Sequence, residues 1–307
     1  MTRSLMTPTF DIGGCLSIVA AVPEHEQAYF LVDNSAIDGA WYQSLEPSTA
    51  MTYSPLIHWL NTQSMTWTTL IGQTDIPRDT AFTPVLFAVN TEQVRRFHHF
   101  TQDNAELNTA VSLLISDQPW ATLQQRLKKR IPVEIGGDTF VLRYFDTRLW
   151  HEWCQLLTPE QRDLFLSAAG TWWVPDRNGQ WLPYAAQTPV DDPVSTSTSL
   201  ITLTEQQQAA VSWLGQADRV GLELDMYWQE GWKPESTPQQ KYQWLSEQIK
   251  AAQTWGLESI EEQTLYSTLA LRQGDDFART EVWQKHLQQV QKKERSLQQI
   301  LESDVTL

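Results

Sequence analysis

Between residues 28 and 182, short apolar runs alternate with stretches whose apolar positions recur every three or four residues. The runs at residues 29–32, 67–71, 85–89, 111–115, 133–135 and 140–145 predict strands. Between them, Ser54-Pro55 opens one predicted helix, and residues 92–100 and 119–129 form two more. Gly136-Gly137-Asp138 lies between the last two runs and reads as a hairpin turn. Helix-containing crossings followed by an antiparallel hairpin predict an α/β lobe with flanking helices on a mixed sheet.

Residues 184–203 change character. Thr188-Pro189-Val190-Asp191-Asp192-Pro193 precedes Ser195-Thr196-Ser197-Thr198-Ser199, a linker composition with little to bury. The expected division is an α/β domain over 1–183, a linker over 184–203 and an all-helical lobe over 204–307. From Thr204 onward the period is helical. Thr204 with Gln207 predicts a capping box, and Trp213, Ala217, Val220, Leu224 and Trp228 share the apolar face of the helix it opens. Thr237-Pro238-Gln239-Gln240 starts the next helix, and a third covers 257–271, before Gly274. One long final helix carries Trp283, Leu287, Val290, Leu297 and Leu301. Its stripe is the best sequence candidate for a partner surface, although a helix docked on the lobe is the favoured reading. The partner-binding candidates are Trp213, Leu224, Trp228, Trp283, Leu287 and Val290.

Residues 140–165 hold the most specific pattern. A strand ends in Arg143-Tyr144-Phe145, the chain turns at Asp146-Thr147, and Leu149, Trp153 and Leu156 then recur at helical spacing. Thr158-Pro159-Glu160-Gln161 starts a second helix with a cap, a first-turn proline and a glutamine able to reach back. Arg143-Tyr144-Phe145-Asp146-Thr147-Arg148 resembles the arginine, aromatic, aromatic, aspartate, small, arginine signature of the type VI secretion effector chaperones, also called adaptors. Leu157-Thr158-Pro159-Glu160-Gln161 follows at that family's usual distance. Ala28-Tyr29-Phe30-Leu31-Val32-Asp33 resembles its first strand, closed by an aspartate, and Trp172-Trp173 falls where members carry aromatics. The family usually has proline where this chain has Thr147. The resemblance covers about residues 28–182, a domain length. It implies a non-enzymatic bacterial cytoplasmic adaptor whose partners are a cognate secreted effector and the valine-glycine repeat spike protein. It implies no cofactor.

Composition narrows the partners. Of 307 residues, 41% are hydrophobic and 19% charged, enough apolar material for a sizeable core. The net charge of -15 disfavours nucleic acid and anionic membranes, whose phosphates it would repel. Fifteen tryptophans are spread along the chain, so most are expected in the core and a minority at a partner surface. Cys15 and Cys154 give no disulfide framework and fit a reducing compartment. Residues 1–10 have no long apolar run, so they do not read as a signal peptide, and the bacterial cytoplasm is the expected location.

Candidate chemistry is sparse. Phosphate loops, nucleotide fingerprints and nucleophile elbows are missing, and Gly13-Gly14 reads as a turn. His98-His99 lack metal-site spacing, and His151, Glu152 and Cys154 crowd one short helix without the geometry of a nucleophile and its base. Arg143, Asp146 and Arg148 form the one charged cluster. Asp146 stands where a helix cap belongs and can bond an arginine, which makes the cluster a corner brace. Lys128-Lys129-Arg130 suits a helix C-terminus, with a basic patch as its alternative. Two other functional classes fit less of the chain: an immunity protein that binds a basic toxin, and a hydrolase or transferase using Asp33, Asp146 and a histidine.

Overall fold

A computed structural model of the chain describes residues 11–34, 54–71, 83–101, 110–188, 190, 201–211, 213–228 and 232–304. Residues 191–200 of the expected linker, Trp41 and residues 1–10 lie outside them. Two compact units divide between Leu214 and Gly215, the first α/β and the second helical.

In the α/β unit the strands are β1 (Gln27–Asp33), β2 (Trp67–Thr69), β3 (Pro84–Val89), β4 (Val111–Ser116), β5 (Pro132–Ile135), β6 (Asp138–Val141), β7 (Thr171–Pro175) and β8 (Trp181–Tyr184). The helices are α1 (Ile12–Ala20), α2 (Pro55–Thr62), α3 (Thr91–Thr101), α4 (Trp120–Lys129), α5 (Thr147–Leu156), α6 (Pro159–Leu166) and α7 (Glu205–Val211). Six strands form one sheet in the order β2-β3-β1-β4-β7-β8, and β5 pairs with β6 in a separate ribbon.

Every pairing between these strands is antiparallel, so the expected mixture of strand directions is corrected. The physical reason lies in burial. Along β1, Tyr29 and Leu31 enter one core while Ala28, Phe30 and Val32 enter the other. A sheet covered on both faces reads as unbroken apolar runs whatever its strand direction, a pattern most familiar from parallel sheets. Phe30 pairs across the sheet with Phe87 and Leu113, and its ring meets those of Phe87 and Phe97 at 5.7 and 5.2 Å.

The ribbon turns at Gly136 and Gly137, whose φ values of 61° and 91° lie where only glycine is at ease. β6 ends at Val141 rather than Phe145, because residues 142–146 turn back and send Tyr144 and Phe145 into the core. β7 and β8 were not anticipated. Gly13-Gly14 is corrected from a turn to the first turn of α1, where the Asp11 carboxylate accepts from the Gly14 amide at 3.0 Å. A Cβ on Gly14 would stand 2.3 Å from that carboxylate and 3.2 Å from Trp181 Cδ1, so glycine allows the close approach.

The expected lobe boundary also moves. Ile201 and Leu203 are buried in the α/β core, and Val211 and Leu214 pack against it. Two capping boxes explain this. Gln161 closes the box of Thr158 on α6, and Gln207 closes the box of Thr204 on α7. Gln207 Nε2 donates to Gln161 Oε1 at 2.7 Å and to the Leu156 carbonyl at 2.9 Å, while Gln161 Nε2 donates to the Thr202 carbonyl at 2.8 Å. At the other end of the expected linker, the Asp163 carboxylate accepts from the Gln187 and Thr188 amides at 2.9 and 3.0 Å. Gly215, at φ 72°, then breaks what reads as one helix into α7 and α8 (Gln216–Tyr227).

The helical unit continues with α9 (Pro238–Thr254), α10 (Ile260–Gln273), a 3₁₀ turn (Phe277–Arg279), α11 (Glu281–Gln291) and α12 (Leu297–Asp304). Thr237 with Gln240 and Ser259 with Glu262 form full capping boxes. Trp232, Trp244, Tyr266, Phe277 and Trp283 anchor its core. Lys241 Nζ lies 5.1 Å from the Trp232 ring centre and Lys233 Nζ lies 4.6 Å from that of Trp244. Burial pushes the Lys241 ammonium below its ordinary range. The long final helix is corrected to two, because the chain reverses at Lys293, φ 59°.

A chain ending at Leu214 is expected to melt above one ending at Leu203. Loss of Val211, Leu214 and the Gln207 bonds costs about 2–4 kcal/mol, or roughly 5–15 °C at this size. Thermal unfolding followed by circular dichroism reads the difference, and equal melting temperatures would contradict the packing of α7.

Candidate functional site

Strand β1 ends in Asp33, whose residue is 1% exposed, and the chain leaving β6 brings Arg143 to it. Arg143 Nη2 donates to Asp33 Oδ2 at 2.6 Å, with the arginine side chain 46% exposed and the carboxylate enclosed. The guanidinium also lies 5.8 Å from the Phe145 ring centre. Neighbouring polar residues at the strand end are buried too: Ser54 Oγ donates to Asn34 Oδ1 at 3.0 Å.

Three residues on, Asp146 caps α5. Its Oδ1 accepts from the Arg148 amide at 3.2 Å and from Arg148 Nε at 2.9 Å, while Oδ2 accepts from Arg148 Nη2 at 2.7 Å. One carboxylate thus holds both the helix start and a two-point arginine contact. This is the arrangement that the spacing predicts. Arg177 Nη2 donates to the Arg148 carbonyl at 3.1 Å, tying the turn between β7 and β8 to the same corner.

Tyr144 and Phe145 turn inward. The Tyr144 hydroxyl donates to the Leu127 carbonyl at 2.9 Å, and its ring meets those of Phe165 and Trp172 edge-on. Burial pushes the Tyr144 phenol far above its ordinary range, against the opposing Arg130 guanidinium. Trp150 lies 4.7 Å from Trp172 between ring centres, and Phe165 stacks on Trp172 at 5.9 Å. Thr158 accepts from the Gln161 amide at 3.2 Å, and Pro159 occupies the first turn of α6.

Arg130 is the residue whose role the sequence conceals. At 2% exposure it is interior, which excludes it from a basic surface patch. Its Nε donates to the Phe165 carbonyl, and Nη1 and Nη2 donate to the Arg126 and Leu164 carbonyls, all at 2.6 Å. It therefore satisfies carbonyls at the ends of both α4 and α6. The signal was the cation at the end of α4; nothing local reveals the second helix.

Both cysteines are enclosed. Burial pushes the Cys15 and Cys154 thiols up to about 12. The Cys154 neighbour His151 faces Gln155 Nε2 at 2.8 Å and the Tyr184 hydroxyl at 3.4 Å. Among the described residues, no three His, Cys, Asp or Glu side chains are grouped to hold a metal ion, and no helix is long and apolar enough to cross a membrane.

The partner-surface candidates separate by exposure. Leu224, Trp283, Leu287 and Val290 are buried in the helical core, so their apolar stripes face inward and the surface assigned to them is corrected. Trp213 belongs to the α/β unit and is 40% exposed. Trp228 is half-buried beside a groove of about 620 Å³ between α8 and α10. The residues missed are on the outer side of α8: Leu222, Met226 and Tyr227 are 48%, 67% and 71% exposed. The ribbon of the α/β unit also exposes apolar side chains, at Phe140 and Val141.

Residues 26–164 match a family described as "Domain of unknown function (DUF4123)". The match runs from just before β1 to within α6, so Asp33, the 143–148 corner and the Thr158 box all fall inside it, and the helical unit falls outside. No curated protein and no solved structure matches the chain.

Two measurements check this geometry. In a double-mutant cycle of Asp33→Asn and Arg143→Gln, each single change is expected to cost about 2 kcal/mol, with a coupling of about 1 kcal/mol because one partner is half exposed. Additive losses would show that the pair does not join the two segments. Neither thiol is expected to react with a thiol reagent at pH 8 until the chain unfolds. Their raised values also favour folding below the ordinary 9.0, a contribution lost as pH climbs toward 12 because the unfolded chain ionises first. Rapid labelling of native protein would contradict the burial.

Proposed function

We propose that the chain is a non-enzymatic adaptor that binds a cognate type VI secretion effector and helps mount it on the valine-glycine repeat spike protein. The observation that carries the reading is the signature corner. Its charged residues and aromatics resemble those of the effector chaperones, they lie within the matched residues 26–164, and each is engaged in holding the α/β unit together. A family whose shared residues are structural leaves binding to surfaces that differ between members. The helical unit, outside the match, supplies such a surface with exposed Leu222, Met226 and Tyr227. Methionine and tyrosine are side chains favoured at protein interfaces, and they cover apolar surface on a partner segment. The α/β unit then serves the part of the task common to such adaptors, and the helical unit chooses the effector.

The test is genetic and uses the whole protein. Deleting the gene should remove one toxin from the secreted fraction and leave the secretion of the spike itself intact. Expressing the chain in a susceptible target cell should give no protection. Undiminished toxin secretion would overturn the adaptor reading. Protection of the target would make the chain an immunity protein, a role that its charge of -15 would suit against a basic toxin.

A further inference from the structure

Helix α8 is apolar on two sides. Val220 and Leu224 face the core of the helical unit, whereas Leu222, Met226 and Tyr227 stand in solvent. The same outer side carries Asp218, Arg219, Glu223 and Asp225, so it mixes apolar and charged side chains. Beside it runs the groove between α8 and α10, with Tyr227 and Trp228 at one wall and Leu265 on the other. Its threonines present methyl groups rather than free hydroxyls. Thr264 Oγ1 donates to the Ile260 carbonyl and Thr268 Oγ1 to the Thr264 carbonyl, both at 2.8 Å.

The charged groups around the groove are unequal. Arg272 is held at its end, with the guanidinium 5.9 Å from the Trp228 ring centre. Glu223 and Glu261 also line it, one from each helix, and neither has an ion pair or a hydrogen-bonding partner among the described residues. Two carboxylates beside an apolar trough favour a cation carried next to apolar anchors. The walls are helices whose backbone groups are already bonded, so an incoming strand would find no edge to extend, and side-chain packing by a helix remains. The twelve residues of α8 run for about 18 Å, room for a partner helix of roughly three turns.

We propose that this groove binds an amphipathic partner helix carrying Lys or Arg on the flank of its apolar stripe, with Tyr227, Trp228 and Leu265 receiving the stripe and Glu223 and Glu261 receiving the cation. This rests on the adaptor reading for the source of the helix, which would be a segment of the effector, and on the groove alone for its chemistry.

The experiment uses the full chain and a synthetic peptide of about 18 residues, long enough to form a helix, with Leu at three- and four-residue spacing and Lys on the flanks. Fluorescence anisotropy reads binding, with the same peptide carrying Glu for Lys as the comparison. The Lys peptide is expected to bind at least about tenfold more tightly than the Glu peptide. Tyr227→Ser with Leu265→Ser is expected to weaken it about tenfold, and Glu223→Gln with Glu261→Gln about three- to tenfold. Glu247→Gln, an exposed carboxylate on α9, should leave it unchanged. All these side chains are partly or fully exposed, so unchanged melting of each variant is the folding control.

Equal binding of the two peptides, or indifference to the groove variants, overturns the proposal. So does a concentration-dependent dimer that Tyr227→Ser with Leu265→Ser dissolves, because the occupant would then be a second copy of the chain. No toxin enters this assay, so its failure is separate from failure of the adaptor reading. Secretion loss without peptide binding would sink the groove and keep the adaptor; peptide binding without secretion loss would do the reverse.

Discussion

Asp33 ends the central strand of the sheet with its carboxylate enclosed, and a buried carboxylate needs a partner at close range. The partner arrives from residue 143, far along the chain. For Arg143 to reach it, the chain must leave β6 early and pass the end of β1 before α5 can begin. That path brings Tyr144 and Phe145 into the core, where Tyr144 meets Phe145, Phe165 and Trp172, and it puts Asp146 at the start of α5. The ion pair, the aromatic cluster and the helix cap are therefore consequences of one another. Arg130 closes the same region from the far side by bonding carbonyls of α4 and α6.

Much of this was legible because local chemistry decided it. The caps at Thr158, Thr204 and Thr237, the glycine turn at 136–137 and the cap at Asp146 depend on residues no more than three positions apart, and the structure has each of them. The lobe boundary was not legible, because it depends on Gln161 and Gln207 meeting across 46 residues. Strand direction was hidden by burial on both faces. β7 and β8 escaped notice although Trp172, Val174, Trp181 and the Asp176–Gly179 turn mark them, since Pro175 and Pro183 break the look of a strand; Pro183 is tolerated in β8 at the sheet edge.

The candidate site was legible only in part, for a related reason. A charged signature is conspicuous in a sequence, and here its residues serve the fold. The apolar stripe of a helix, by contrast, looks the same whether it faces a core or a partner. Trp283, Leu287 and Val290 face the core, while Leu222, Met226 and Tyr227, spread over one and a half turns of α8, do not stand out until the fold exposes them. Three-dimensional exposure, rather than residue type, separates the two sets.

On the proposed reading, stability falls to the 143–148 corner and recognition to the helical unit. Hydrogen–deuterium exchange of the full protein, alone and with the effector proposed as its partner, compares them directly. The account predicts slowed exchange over residues 222–228 and 260–272 on binding, with the already slow amides of residues 143–150 unchanged. New protection confined to the corner, with none in α8 and α10, would contradict it.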